Sequence, residues 1–188
     1  MTTIPYLKSA RRQFEYYKLL GEKAIAQLSD EALFYQPNGE SNSIAIIVKH
    51  LWGNMLSRWT HFLTEDGEKP WRKRDTEFEP TVKTRAELLK KWEEGWQCLF
   101  GALDSITDEK LDTIIYIRNE GHTVLEAINR QIAHYAYHIG QIVFIAKMIK
   151  NKEWNSLSIP RNKSGDYNED KFSQEKGIRH FTEREMKK

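Results

Sequence analysis

The sequence predicts an all-α fold: a four-helix bundle with long connectors and a polar C-terminal extension. Four long stretches carry apolar residues at three- to four-residue intervals, two of them open on a capping box, and only one short extended piece interrupts the pattern. The size agrees, since 188 residues with 39% hydrophobic and 30% charged suffice for one globular domain with a sizeable core.

The first helix is expected over Pro5–Leu28, where Leu7, Phe14, Tyr17, Leu20, Ala24 and Leu28 make the stripe and Pro5 suits a first turn. Pro37, Asn38 and Gly39 mark the following connector, with one short turn after Ser29. The second helix starts near Asn42 and runs to about Leu63; its stretch IAIIVKHLWG is apolar round most of its circumference, as in a helix packed on several sides. Segment 64–83 sets Gly67, Pro70 and Pro80 among charges and reads as a long surface loop. Thr84 and Glu87 form a capping box that opens the third helix, with the stripe Leu88, Trp92, Trp96, Leu99 and Leu103 and an end near Ser105. A connector with an extended piece at TIIYIR leads to a second capping box, Thr123 and Glu126, and the fourth helix continues to about Lys150. Residues 1–150 are thus the expected bundle, and 151–188 the extension packed on it or trailing from it.

Charge and composition exclude several classes. The 29 Lys and Arg against 27 Asp and Glu leave a net +2, too little for the bulk field of a nucleic-acid binder. No apolar run approaches the roughly 18 residues that cross a bilayer, and the start MTTIPYLKSARR has no apolar h-region, so a cytoplasmic protein with no membrane role is expected. The single cysteine, Cys98, excludes an intrachain disulfide and a cysteine-cluster metal site, and reads as an inert buried thiol.

His134 and His138 stand four apart on the fourth helix, about 40° apart in azimuth and one turn apart along the axis, which lets two imidazoles reach one ion. Six histidines scattered at random would give such a pair about 15% of the time, so its weight comes from context. The pair sits amid apolar residues, where an imidazole must be hydrogen-bonded or metal-bound. His50 lies midway along the equally apolar second helix. Together the three can make half of a coordination sphere and leave positions open; otherwise all three are core histidines satisfied by neighbours. Gln141, a turn beyond His138, can orient a ligand or a bound water. The ion expected is divalent, zinc or nickel before iron or manganese. Three neutral ligands leave its charge uncompensated, which makes metal-assisted hydrolysis or thiol activation on a small-molecule substrate feasible.

A histidine on the second helix followed by His-x-x-x-His-x-Gly-Gln on the last, here His50, His134, His138, Gly140 and Gln141, resembles the DinB superfamily over about residues 5–150. The resemblance implies a four-helix bundle of the DinB type, often dimeric, with a three-histidine divalent metal site; some relatives transfer low-molecular-weight thiols such as bacillithiol or mycothiol. The extension and the SRW and KPWRKRDTEF stretches look like a DinB-like subfamily of unknown function. The function expected is that of a metal-dependent enzyme of the hydrolase or thiol S-transferase type. The alternative is a non-catalytic dimeric metal-binding bundle serving as a binding or stress-response module.

Other residues are read beside this triad. Asp75 and Glu77 in the long loop are candidate general bases if the loop folds over the metal, and solvated charges if it does not. Trp71, Arg72, Lys73 and Arg74 attract an anion or, the favoured reading, keep the loop soluble. Asn54 and Arg58 continue the His50 side of their helix and line a pocket above the metal or, the favoured reading, serve ordinary packing and surface pairing. His61 lies about 16 Å along the axis from His50 and cannot share its ion; His122 is assigned to the connector and His180 to solvent. On the fourth helix Ile128, Ile132, Tyr135, Ile139, Ile142, Ala146 and Ile149 form a second stripe, wider than one interior needs, so a homodimer is expected.

Overall fold

The structure, a computed structural model, describes residues 5–187. Residues 1–4 of the expected bundle and residue 188 of the expected extension lie outside them. Pro5 precedes the first turn of α1 (Tyr6–Ile25), whose buried face includes Ala10, Phe14, Ala24 and Ile25. The expected turn after Ser29 is α2 (Asp30–Leu33), capped by the Ser29 hydroxyl, which accepts the Ala32 N–H at 3.4 Å. Ser43 caps α3 (Ile44–Trp59) in the same way at Ile46, and α3 is buried on almost every side. It stops at Trp59 rather than near Leu63, because Thr60 turns extended and His61 takes a left-handed φ of 47°.

Thr84 accepts the Glu87 N–H at 3.1 Å and opens α4 (Arg85–Asp104), whose buried stripe is the expected one. The connector after α4 holds more than one extended piece. β1 (Ile114–Ile117) pairs antiparallel with β2 (Glu120–Thr123), and Arg118 and Asn119 between them both have positive φ, as a two-residue hairpin turn requires. Asp66 accepts both of their backbone N–H groups at 2.9 Å, tying the hairpin to segment 64–83. Thr123 and Glu126 form both halves of the capping box of α5 (Val124–Lys150).

Among the described residues the long helices meet in pairs: α3 lies along α4 and α1 along α5, with lighter contacts joining α3 to α5 and α1 to α4. Tyr135 of α5 meets Phe14 of α1 at a tilt and Trp96 of α4 edge to face, with ring centroids 5.8 Å apart in each pair. The α5 stripe expected to pack on a second copy is used inside the chain. Ile128, Tyr135, Ile139, Ile142 and Ala146 are buried, and Ile132 and Ile149 pack against the same core. The wide arc is absorbed within the chain because α5 packs against both α1 and α3. The stripe therefore carries no argument for a partner. No helix among the described residues is long and apolar enough to cross a membrane.

The segment after α5 is not simply trailing. It forms α6 (Ser164–Phe172) and then returns to α1, where Arg12 donates to Glu183 at 2.8 Å and Tyr16 meets Phe181 edge-on at 5.9 Å. His180, expected in solvent, is buried instead, bonded to the Ser9 hydroxyl at 3.1 Å and the Thr182 hydroxyl at 2.8 Å. Its two ring nitrogens find partners only through this return, which the charged sequence around it does not reveal.

Candidate metal centre

The lighter α3–α5 contact is where the three predicted histidines meet. His50 comes from the middle of α3, and His134 and His138 from consecutive turns of α5. His134 Nε2 stands 3.4 Å from His50 Nε2 and 3.1 Å from His138 Nε2, and one nitrogen from each ring lies within 4.8 Å of the others. Two nitrogens each about 2.1 Å from one ion at near-tetrahedral angles stand about 3.4 Å apart, so this is the spacing of shared chelation. Three close histidines are thus placed to hold a metal ion.

The outer nitrogens settle which atoms face inward. His50 Nδ1 lies 2.8 Å from Glu77 Oε2, and His138 Nδ1 lies 2.7 Å from Gln141 Oε1. Both partners are acceptors, so each Nδ1 carries the proton and each Nε2 presents a lone pair to the cluster. His134 Nδ1 is buried with no partner among the described residues. Burial, with His138 and His50 adding to it, pulls His134 down to about 3; burial pulls His138 to about 4 against the opposing bond from Gln141. Both rings are therefore neutral near pH 7, the state a metal ligand needs.

Glu77 is the main correction to the surface-loop reading of 64–83. A 3-10 helix, Arg74–Phe78, turns this residue inward; it is buried and bonded to His50 and not a free general base. Arg72 is turned inward as well, not a solubilising charge: its Nε donates to Glu77 Oε1 at 2.7 Å and its Nη2 to Oε2 at 3.0 Å. Burial alone would raise the Glu77 carboxyl, but the bonds from His50 and Arg72 outweigh it and hold it below the usual carboxylate range. Gly53 on α3 makes this docking possible, since a Cβ there would collide with Glu77 Oε1 and stand 2.8 Å from its Cδ. Asp75, the other candidate base, has a fully exposed side chain and lies outside the histidine cleft.

The histidines open into a cleft of about 610 Å³. Asn54 and Arg58 line it, beyond the ordinary packing and surface pairing favoured for them. Asn54 is held by a buried chain in which Trp59 Nε1 donates to the Tyr135 hydroxyl at 3.0 Å and that hydroxyl donates to Asn54 Oδ1 at 3.2 Å. Gln131, Tyr137 and Arg130 also line it from α5, and Arg118 from the hairpin. Arg130 and Gln131 stand one turn before His134 and were legible from that spacing, whereas Arg118 reaches the cleft only through a turn the sequence does not announce. His61 is exposed just past the end of α3, and His122, on β2, accepts a hydrogen bond from Arg130 Nη1 at its Nε2, 3.1 Å away. Cys98 is partly buried beside Thr60, and burial raises its thiol, as expected of an inert group.

Fold and site together define a mostly helical protein with a three-histidine cluster able to hold a metal at the floor of an open cleft. The chain belongs to the family described as Protein of unknown function (DUF1572), whose model matches residues 2–163. That match runs past α5 and ends immediately before α6. No curated protein and no solved structure matches the chain.

Proposed function

We infer that the chain is a DinB-like four-helix-bundle metalloprotein in which His50, His134 and His138 hold a divalent ion and activate a small-molecule substrate. The observation that carries this reading is the convergence of three Nε2 atoms at 3.1 and 3.4 Å, two of them oriented by acceptors on the far side of the ring. A bound divalent ion there supplies Lewis acidity, which lowers the pKa of a water or thiol reaching it. The chain's own residues do the positioning. Glu77 holds the Nδ1 proton of His50 and fixes that ring against α3, and Arg72 keeps Glu77 ionised. Gln141 does the same for His138 within one turn of α5. Trp59 and Tyr135 hold Asn54, which lines the cleft, through a buried chain of hydrogen bonds.

The test is metal analysis of the purified full chain, followed by a hydrolase and thiol-conjugation screen of the metal-loaded protein. Near-stoichiometric metal that is lost in His134→Ala, with turnover in either half of the screen, is the expected result. Metal-free protein that takes up none would overturn the reading; bound metal with flat activity would leave the non-catalytic metal-binding bundle in its place.

A further inference from the structure

The cleft above the histidines is strongly basic for a protein of nearly balanced charge. Five arginines line it, Arg58, Arg72, Arg74, Arg118 and Arg130, and among the described residues no carboxylate does. They arrive from four separate segments: α3, the loop before Glu77, the hairpin turn and α5. Two carboxylates lie behind this lining. Glu77 is committed to Arg72 and His50, and Glu68 is shared by Arg58 at 3.1 Å, Arg72 at 3.3 Å and Arg118 at 3.2 Å. The side chains of Arg58 and Arg72 are buried and engaged by Glu68, and they raise the potential of the cleft floor; the buried Arg58 Nε has no hydrogen-bond partner among the described residues.

The rim is different. Arg74 lies half-exposed over the Phe78 ring at 5.1 Å, and its one ion-pair partner among the described residues is the solvated Asp75 at 3.8 Å. Arg118 is 55% exposed and shares Glu68 with two other guanidiniums. Arg130 is exposed and has no ion-pair partner among the described residues, its Nη1 meeting only His122. It stands four residues before His134 on α5, about 6 Å along the axis from the proposed metal ligand. Beside it Gln131 is 3% exposed, lines the same cleft, and leaves its Oε1 buried with no partner among the described residues. That oxygen is an acceptor, so it suits a hydroxyl or N–H of a ligand and not its oxyanion, which falls to the guanidiniums that line the same cleft.

Guanidiniums in this arrangement match the planar, multi-oxygen face of a phosphate or carboxylate. We propose that the cleft binds a small substrate bearing a phosphate or carboxylate group, with its oxyanion held by Arg74, Arg118 and Arg130 and its reacting atom at the histidines. The placement of the reacting atom rests on the metal-centre reading; the oxyanion site does not. A small molecule is the fitting occupant because the charge is gathered inside one cleft while residues 1–150 as a whole carry no net charge.

The test is calorimetric titration of inorganic phosphate, and separately of succinate, into the metal-free full chain at low salt, repeated with Arg74→Gln, Arg130→Gln and the double variant. Saturable binding of either anion is expected, weakened about tenfold by each single change, with zinc affinity measured in parallel and not reduced. Preference for phosphate identifies a phosphorylated substrate, and preference for succinate a carboxylated one. No saturable binding of either, or equal binding in the double variant, overturns the proposal. Displacement of phosphate by short duplex DNA with a strength that grows with duplex length overturns the small-molecule assignment. Anion binding in a chain that takes up no zinc would sink the metal centre and leave the oxyanion site supported.

Discussion

Replacing Glu77 by Gln separates a metal ligand from a core histidine at His50. In the native chain the Glu77 carboxylate takes three bonds, from His50 at 2.8 Å and from Arg72 at 2.7 and 3.0 Å, while the His50 and Arg72 side chains are 5% and 2% exposed. The amide of Gln offers one acceptor and one donor, so it satisfies either His50 or Arg72 but turns an N–H toward the other. Breaking a buried ion pair costs about 3–5 kcal/mol, and the lower end applies because Glu68 still accepts from Arg72 Nη1 at 3.3 Å. A domain with about 10 kcal/mol in hand stays folded after that loss. The stability loss is expected whether or not His50 binds metal. The metal affinity is the discriminating quantity: losing the partner that orients a ligating histidine costs about 10–100-fold, or roughly 1.4–2.7 kcal/mol. Competition for zinc against a chromophoric chelator, beside urea unfolding of the same samples, reads both numbers. A variant destabilised by about 3 kcal/mol whose zinc affinity stays within about twofold of wild type would show that Glu77 supports only the core.

Three further outcomes follow from the same geometry. Zinc at about 100 times its dissociation constant should raise the unfolding free energy by about 2.7 kcal/mol, and His134→Ala should abolish the increase in thermal or urea unfolding; an equal increase in the variant refutes chelation at this site. Because burial holds His134 near 3 and His138 near 4 while an unfolded histidine titrates near 6.5, the unfolded chain takes up protons that the folded chain does not as pH falls through this range. The metal-free protein should therefore be most stable above about pH 6.5 and weaken steadily toward pH 4; a urea midpoint that is flat or rises on acidification would contradict it. Gly53→Ala, which touches no histidine, should push Glu77 off His50 and lower zinc affinity about tenfold, whereas Gly140→Ala, with nothing near the added methyl, should leave it unchanged in the same competition assay.

What the sequence made legible was what short-range chemistry encodes. Thr84 with Glu87 and Thr123 with Glu126 place two helix starts to the residue, because the caps act over three positions. His134, His138 and Gln141 share a helix face for the same local reason, and Gln141 stands where its spacing put it. The end of α3 was not legible, because His61 occupies a left-handed conformation without being Gly or Asn. The hairpin was hidden likewise, since Arg118 and Asn119 make a two-residue turn without glycine and rely on the Asp66 carboxylate to hold their N–H groups.

Segment 64–83 shows why charge patterning misled. Its Arg72 and Glu77 read as solvated one at a time, because burying either alone would be prohibitive. Buried together, with His50 on one side and Glu68 on the other, each neutralises its neighbour, and the loop becomes the wall that fixes the histidine. The same pairing decides the charge of the cleft. Glu68 and Glu77 are consumed inside the wall, so the guanidiniums of Arg74 and Arg130 face the opening without a committed carboxylate of their own beyond the loosely placed, solvated Asp75. A loop that carries six acidic and five basic residues can in this way present only positive charge to a ligand, which a sum over the sequence cannot anticipate.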